Sequence, residues 1–194
     1  SSIFTAEERP DDINAVFASV PMGDALRGTV GTGGMINGLF MRTWLTLTQV
    51  TTVENFLSVF RNLKYATQIT EATREHTEQI DNYYLPIIND ALTGSPNVTF
   101  DGEFWRTRSP IENVDKIKAP TMLFGAVDDI FQRDEPLFYE KLKNRVDTRL
   151  VIYRGDHISN FVQGAVGVEN IYPLPYRALQ WFDKYLRGMD TDTA

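Results

Sequence analysis

The chain has 194 residues, 42% of them hydrophobic and 12% aromatic, enough to bury one sizeable core. A formal net charge of −7 argues against a nucleic-acid or anionic-membrane partner, since both demand concentrated Lys and Arg. The absence of cysteine excludes disulfides, thiolate metal sites and a cysteine nucleophile, and leaves a cytoplasmic or an exported location equally open.

Residues 1 to 9 read as the end of a helix, stopped where Arg9-Pro10-Asp11-Asp12 brings proline and two turn-forming acids. Ile13 to Val20 is a mostly apolar run suited to a buried parallel strand, closed by Pro21-Met22-Gly23-Asp24. Gly28-Thr29-Val30-Gly31-Thr32-Gly33-Gly34 is dense in glycine but fits neither phosphate-loop spacing, so it is read as a flexible lead into helices. From Met35 to Leu92 apolar residues recur at helical spacing: Leu39, Phe40, Trp44 and Leu45, then Phe56, Leu57, Phe60 and Leu63. Thr51 and Glu54 make a capping-box pattern for the second of these helices. Thr67 to Glu78 is mostly polar and belongs on a surface. Tyr83, Tyr84, Ile87, Ile88 and Leu92 restore an apolar stripe, with Pro86 at a kink or start and Gly94 at the stop. So long a helical block between two strands reads as a cap inserted over the sheet's carboxyl edge, the usual position of an active-site lid.

The strongest chemical signal follows. Ala119-Pro120 leads the apolar run Thr121 to Gly125, which ends in Gly-x-x-Asp at Asp128 with Asp129 beside it. Asp134, Glu135 and Pro136 start a helix, Thr148 to Tyr153 is a third strand, and its loop carries His157. Loops beyond the carboxyl ends of parallel strands converge on one crevice, so this acid and this base share an edge. A carboxylate bonded to the imidazole Nδ1–H fixes the tautomer whose Nε2 can deprotonate a serine, and nucleophile, acid, histidine is the chain order of α/β-hydrolases. The serine itself is missing, and neither Ser1 nor Ser2 has the preceding glycine and strand that a strained nucleophile turn requires. Asp129 is the competing acid, its alternative role being to cap or brace the loop. His76, in the polar stretch, is read as solvated, and the two histidines lack metal-site spacing. Trp44, Trp105 and Trp181 are read as packing residues, with Trp44 or Trp105 the candidates for a pocket wall. A final helix from about Leu174 has an expected apolar face of Tyr176, Leu179, Phe182, Tyr185 and Leu186, and stops at Gly188.

Three strands, near 14–20, 121–125 and 148–153, are few for a doubly wound sheet. The first would expose an unpaired apolar edge, which predicts further strands upstream or on another chain. No apolar run approaches the roughly 20 residues that span a bilayer, and no signal-peptide pattern is visible.

Several stretches, correctly ordered, resemble the CocE/NonD hydrolases of the X-Pro dipeptidyl-peptidase superfamily, the group that includes cocaine esterase and glutaryl acylase. They are Phe104-Trp105-Arg106-Thr107-Arg108-Ser109-Pro110, Ile117 through Gln132, and Arg177 through Gly188 around Trp181-Phe182-Asp183. The resemblance implies Asp128 as the triad acid, at the family's Gly-x-x-Asp position, and His157 as general base. It implies an α/β-hydrolase fold, partial and mainly parallel: core at 1–34, helical cap at 35–99, core with the acid and His loops at 100–194. Ala126-Val127 and Arg154-Gly155-Asp156 depart from the family's aromatic before the acid and its Pro-Trp-x-His loop. The family's Gly-x-Ser-x-x-Gly elbow would precede Ser1, in the same or a separate chain, and its jelly-roll would follow Ala194. The implied reaction is serine-dependent hydrolysis of a small ester or amide, needing no cofactor or metal. The alternative is a catalytically incomplete or degenerate hydrolase that serves as a binding module or as one part of a split enzyme. Oligomeric state is not legible.

Overall fold

The computed structural model describes residues 2–53, 63–157 and 174–193. In chain order its helices and strands are α1 (Ser2–Glu8), β1 (Val16–Ser19), α2 (Gly38–Val53), α3 (Ala66–Gln79), α4 (Leu85–Thr93), α5 (Pro96–Thr99), α6 (Glu103–Arg106), β2 (Thr121–Ala126), α7 (Asp134–Leu142), β3 (Thr148–Tyr153) and α8 (Leu174–Arg187). Contacts divide the chain into two compact units, one of residues 1–29 with 105–194, the other of residues 30–104.

In the first unit the strands form a parallel sheet in the order β1-β2-β3. Parallel strands need long crossovers that cover both faces, so a central strand can be apolar throughout. All six residues of β2 are buried. On one face Leu123 joins Ile3 and Ala6 of α1 and Phe138 and Leu142 of α7 in a single cluster. On the other, Phe124, Ala126 and Tyr153 pack with Phe17 and Leu174. This α/β arrangement is compatible with part of an α/β-hydrolase fold. Among the described residues β1 pairs with β2 alone. Its chain leaves the sheet through Val20 at φ 41, a strained setting for a β-branched residue, where the Val20 N–H donates to the Phe124 carbonyl at 2.8 Å.

α8 lies with a different face inward from the one its sequence suggests. Trp181 is fully buried, Phe182 meets Phe17 with ring centroids 6.4 Å apart, and Leu174, Ala178 and Tyr185 are half-buried, whereas Tyr176, Leu179 and Leu186 are exposed. The inward stripe runs 174, 178, 181, 182, 185, which is helical spacing shifted about a quarter turn from the expected one. The large indole governs the choice, because it has the most apolar area to remove from water.

A second departure fastens the carboxyl edge. Asp134 does not merely start α7: its Oδ2 accepts the N–H groups of Gly23 at 2.7 Å and Asp24 at 3.1 Å, and Arg133 pairs with its Oδ1 at 3.1 Å. The chain after β1 is thereby tied to the helix after β2. Gly28 has to be glycine here, since a Cβ would stand 2.7 Å from Asp134 Oδ2.

The second unit is helical. α3 buries no residue, as its polarity predicts, and Arg74 on it pairs with Glu71 and Glu78. α4 begins with proline in its first turn and ends on Gly94 at φ 73. Thr51 sits inside the end of α2 and not at a helix start, because α2 runs on to Val53; Glu54, Phe56, Leu57 and Phe60 lie outside the described residues.

One core acid sets a pH dependence. Glu7 of α1 is 2% exposed and its Oε1 has no hydrogen-bond partner among the described residues. Burial, opposed by Lys116 and reinforced by Glu8 and Asp115, raises its pKa from 4.5 to about 8. The folded form therefore holds the proton more tightly than the unfolded one. Its contribution is fully present below about 4.5 and is lost as pH rises through about 8. Urea midpoints between pH 5 and 9 should fall less steeply for Glu7→Gln than for the wild type; parallel curves would exclude Glu7 as a source.

Candidate active site

The site is built by two turns. β2 ends at Ala126, and the Asp129 N–H returns to the Ala126 carbonyl at 3.3 Å, so the strand closes in a tight turn. The turn is held to the next strand as well: the Val127 N–H donates to Tyr153 O at 3.0 Å and the Asp128 N–H to Gly155 O at 2.9 Å. The acid turn and the loop that carries His157 are thus bound together by backbone.

Of the two adjacent acids, the structure brings Asp129 to the histidine and leaves Asp128 exposed. Asp129 Oδ2 stands 3.0 Å from His157 Nδ1, and its Oδ1 accepts the Phe131 N–H at 2.7 Å. The expected carboxylate contact at Nδ1 is therefore present, one residue later than the Gly-x-x-Asp count places it. The reason is geometric: after β2 the turn points residue 128 to solvent and residue 129 inward, and only 129 can meet both the loop N–H and the imidazole. Asp129 thus makes a loop contact and the histidine contact at once.

The Asp129 side chain is 0% exposed and that of His157 37%, so the acid is shielded while the imidazole reaches solvent. Phe131 supports the ring edge to face, with centroids 5.2 Å apart. With Nδ1 against the carboxylate, Nε2 is the nitrogen left for an incoming group.

Two further groups lie within electrostatic reach of Asp129, neither read from the sequence as part of the site. Glu135 on α7 is 0% exposed, and neither carboxyl oxygen has a hydrogen-bond partner among the described residues. Burial lifts its pKa to about 8, its own backbone N–H opposing and Asp129 and Asp134 adding to the rise. Tyr153, at the end of β3, is pushed up to about 12 by burial and by Asp129, Asp156 and Glu135. Gly125 leaves room for Glu135: a Cβ there would come within 2.9 Å of the Glu135 Cδ. That glycine, read only as part of Gly-x-x-Asp, was the one signal that something large lies above it.

The family of X-Pro dipeptidyl-peptidase (S15 family) has a model that matches residues 1–159. The chain belongs to this family. No curated protein matches it. Membership in the X-Pro dipeptidyl-peptidase family supports a hydrolase, and the matched span takes in both turns of the site. The other residues weighed from the sequence are each described in their own unit. His76 is half-buried near Tyr84, at 6.2 Å between centroids, and Trp105 and Trp181 are core residues, whereas Trp44 is partly exposed and stacks on Phe40. No helix among the described residues is long and apolar enough to cross a membrane.

Proposed function

We propose that the chain supplies the acid and the base of a Ser-His-Asp hydrolase of the CocE/NonD type, acting on a small ester or amide. The observation that carries this reading is the 3.0 Å approach of a buried carboxylate to Nδ1 of a half-exposed histidine at the carboxyl edge of a parallel sheet. His157 takes the proton of the nucleophilic serine and returns it to the leaving group, while Asp129, in place of Asp128, orients the imidazole and stabilises its charged form. The serine comes from outside this chain, whose sequence contains no Gly-x-Ser. In this reading residues 35–99 form the cap that selects the acyl group, and a complementary hydrolase segment carries the nucleophile and the oxyanion donors.

Intact-mass analysis before and after treatment with a fluorophosphonate probe tests this directly. A single adduct on a longer polypeptide that includes this sequence, or on an associated chain, lost when His157 is replaced by Gln, is the expected result. Failure to label, or labelling indifferent to His157, would transfer the chain to the binding-module class.

A further inference from the structure

Glu135 poses a problem that the triad does not address. It is a fully buried carboxyl group with no partner for either oxygen among the described residues, close enough to Asp129 for that acid's charge to disfavour its ionisation. Two carboxylates in one water-excluded site do not both ionise at neutral pH, because desolvation and mutual repulsion act in the same direction. The pair then carries one negative charge, and the available donors decide where it resides. Asp129 has two, the Phe131 N–H and the His157 ring, each on a different oxygen. Glu135 has no hydrogen-bond partner for either oxygen among the described residues and only its own backbone N–H to favour its charged form, against the charges of Asp129 after β2 and Asp134 on its own helix, with the Tyr153 phenol of β3 within electrostatic reach.

We propose that Glu135 is a positioning residue for the His157–Asp129 pair, the proton-holding member of a two-carboxyl unit that keeps its single negative charge on Asp129. This rests on reading Asp129 as the group that orients His157. Protonated Glu135 lets the turn bury an acid behind the site without adding a second negative charge. An ionised Glu135 would hold the imidazolium too firmly for it to return its proton, and a proton on Asp129 would remove the anchor of the ring. The unit acts through Asp129 and touches no substrate.

The test is an NMR titration of the histidine ring signals in the full chain, from pH 5 to 10, with His157 assigned by loss of the other set in His76→Gln. The wild type should show an inflection in the His157 signals near pH 8, where Glu135 ionises. Glu135→Gln keeps the shape of the protonated acid and should abolish that inflection; Glu135→Met, should the amide fold poorly, should abolish it too. Asp129→Asn removes the competing charge and should move the inflection to lower pH. An inflection that survives Glu135→Gln or Glu135→Met, or one that Asp129→Asn leaves in place, overturns the proposal. If Asp129→Asn leaves the His157 signals wholly unchanged, it is the orienting pair that fails, a different result from the failure of Glu135.

Discussion

Replacing Asp129 by Asn in the active hydrolase should lower turnover by up to about 10⁴, while Asp128→Asn stays within a few-fold of wild type. The asymmetry follows from the geometry. Asp129 is buried, and its Oδ2 lies against Nδ1 at 3.0 Å; an amide there can present its NH2 and favour the imidazole tautomer that carries its proton on Nε2. In the proposed triad that ring could not accept the serine proton. Asp128 is exposed and contributes its backbone N–H to Gly155, which asparagine preserves. Steady-state turnover of an activated ester by the two variants, beside wild type, decides the matter. If Asp128→Asn is the inactive one, the carboxylate beside His157 only braces the loop, and the acid is at the Gly-x-x-Asp position after all.

That one-residue question marks the limit of what the sequence discloses. The sheet was legible because its signals are local: apolar runs bounded by proline, glycine and acids fall on β1, β2 and β3 with ends displaced by few residues. Helix stops were legible for the same reason, Gly94 and Gly188 both adopting the positive φ that glycine tolerates. The site was legible as a pair of loops but not atom by atom. Whether residue 128 or 129 turns inward depends on how the acid turn hydrogen-bonds to the end of β3 and to Gly155, contacts formed with residues about 26 or more positions away. Asp134 presents the same difficulty on a larger scale, since it reads as a helix start and instead binds the backbone of Gly23 and Asp24, 111 and 110 positions earlier. Glu135, beside it, reads as another first-turn acid, and only the packing of α7 on β2 and β3 discloses that it is buried. In α8 the periodicity was plain, but several apolar residues allowed two rotations, and burial of Trp181 selected one.

Phe138→Ala should cost about 3–5 kcal/mol of stability, because truncating a buried aromatic loses both its transfer free energy and the contacts of the cavity left behind. Phe138 is 0% exposed, in the cluster that joins α1, β1, β2 and α7, and its ring comes within 2.9 Å of where a Cβ on Gly23 would stand, so few neighbours can move in to refill the space. Against a total stability of about 5–15 kcal/mol that loss is severe. Leu179→Ala on the exposed side of α8 is the matched control, with an expected change within about 0.5 kcal/mol. Denaturant unfolding followed by tryptophan fluorescence suits the comparison, since Trp105 and Trp181 are both buried in the sheet unit. Equal losses at the two positions would mean that α8 turns its other face to the core. The consequence reaches the site, because α7 carries Phe138 one turn beyond Asp134 and Glu135. A helix loosened at Phe138 also loosens the clamp on Gly23 and the acid behind Asp129, so protein that remains folded should show weaker coupling between Asp129 and His157.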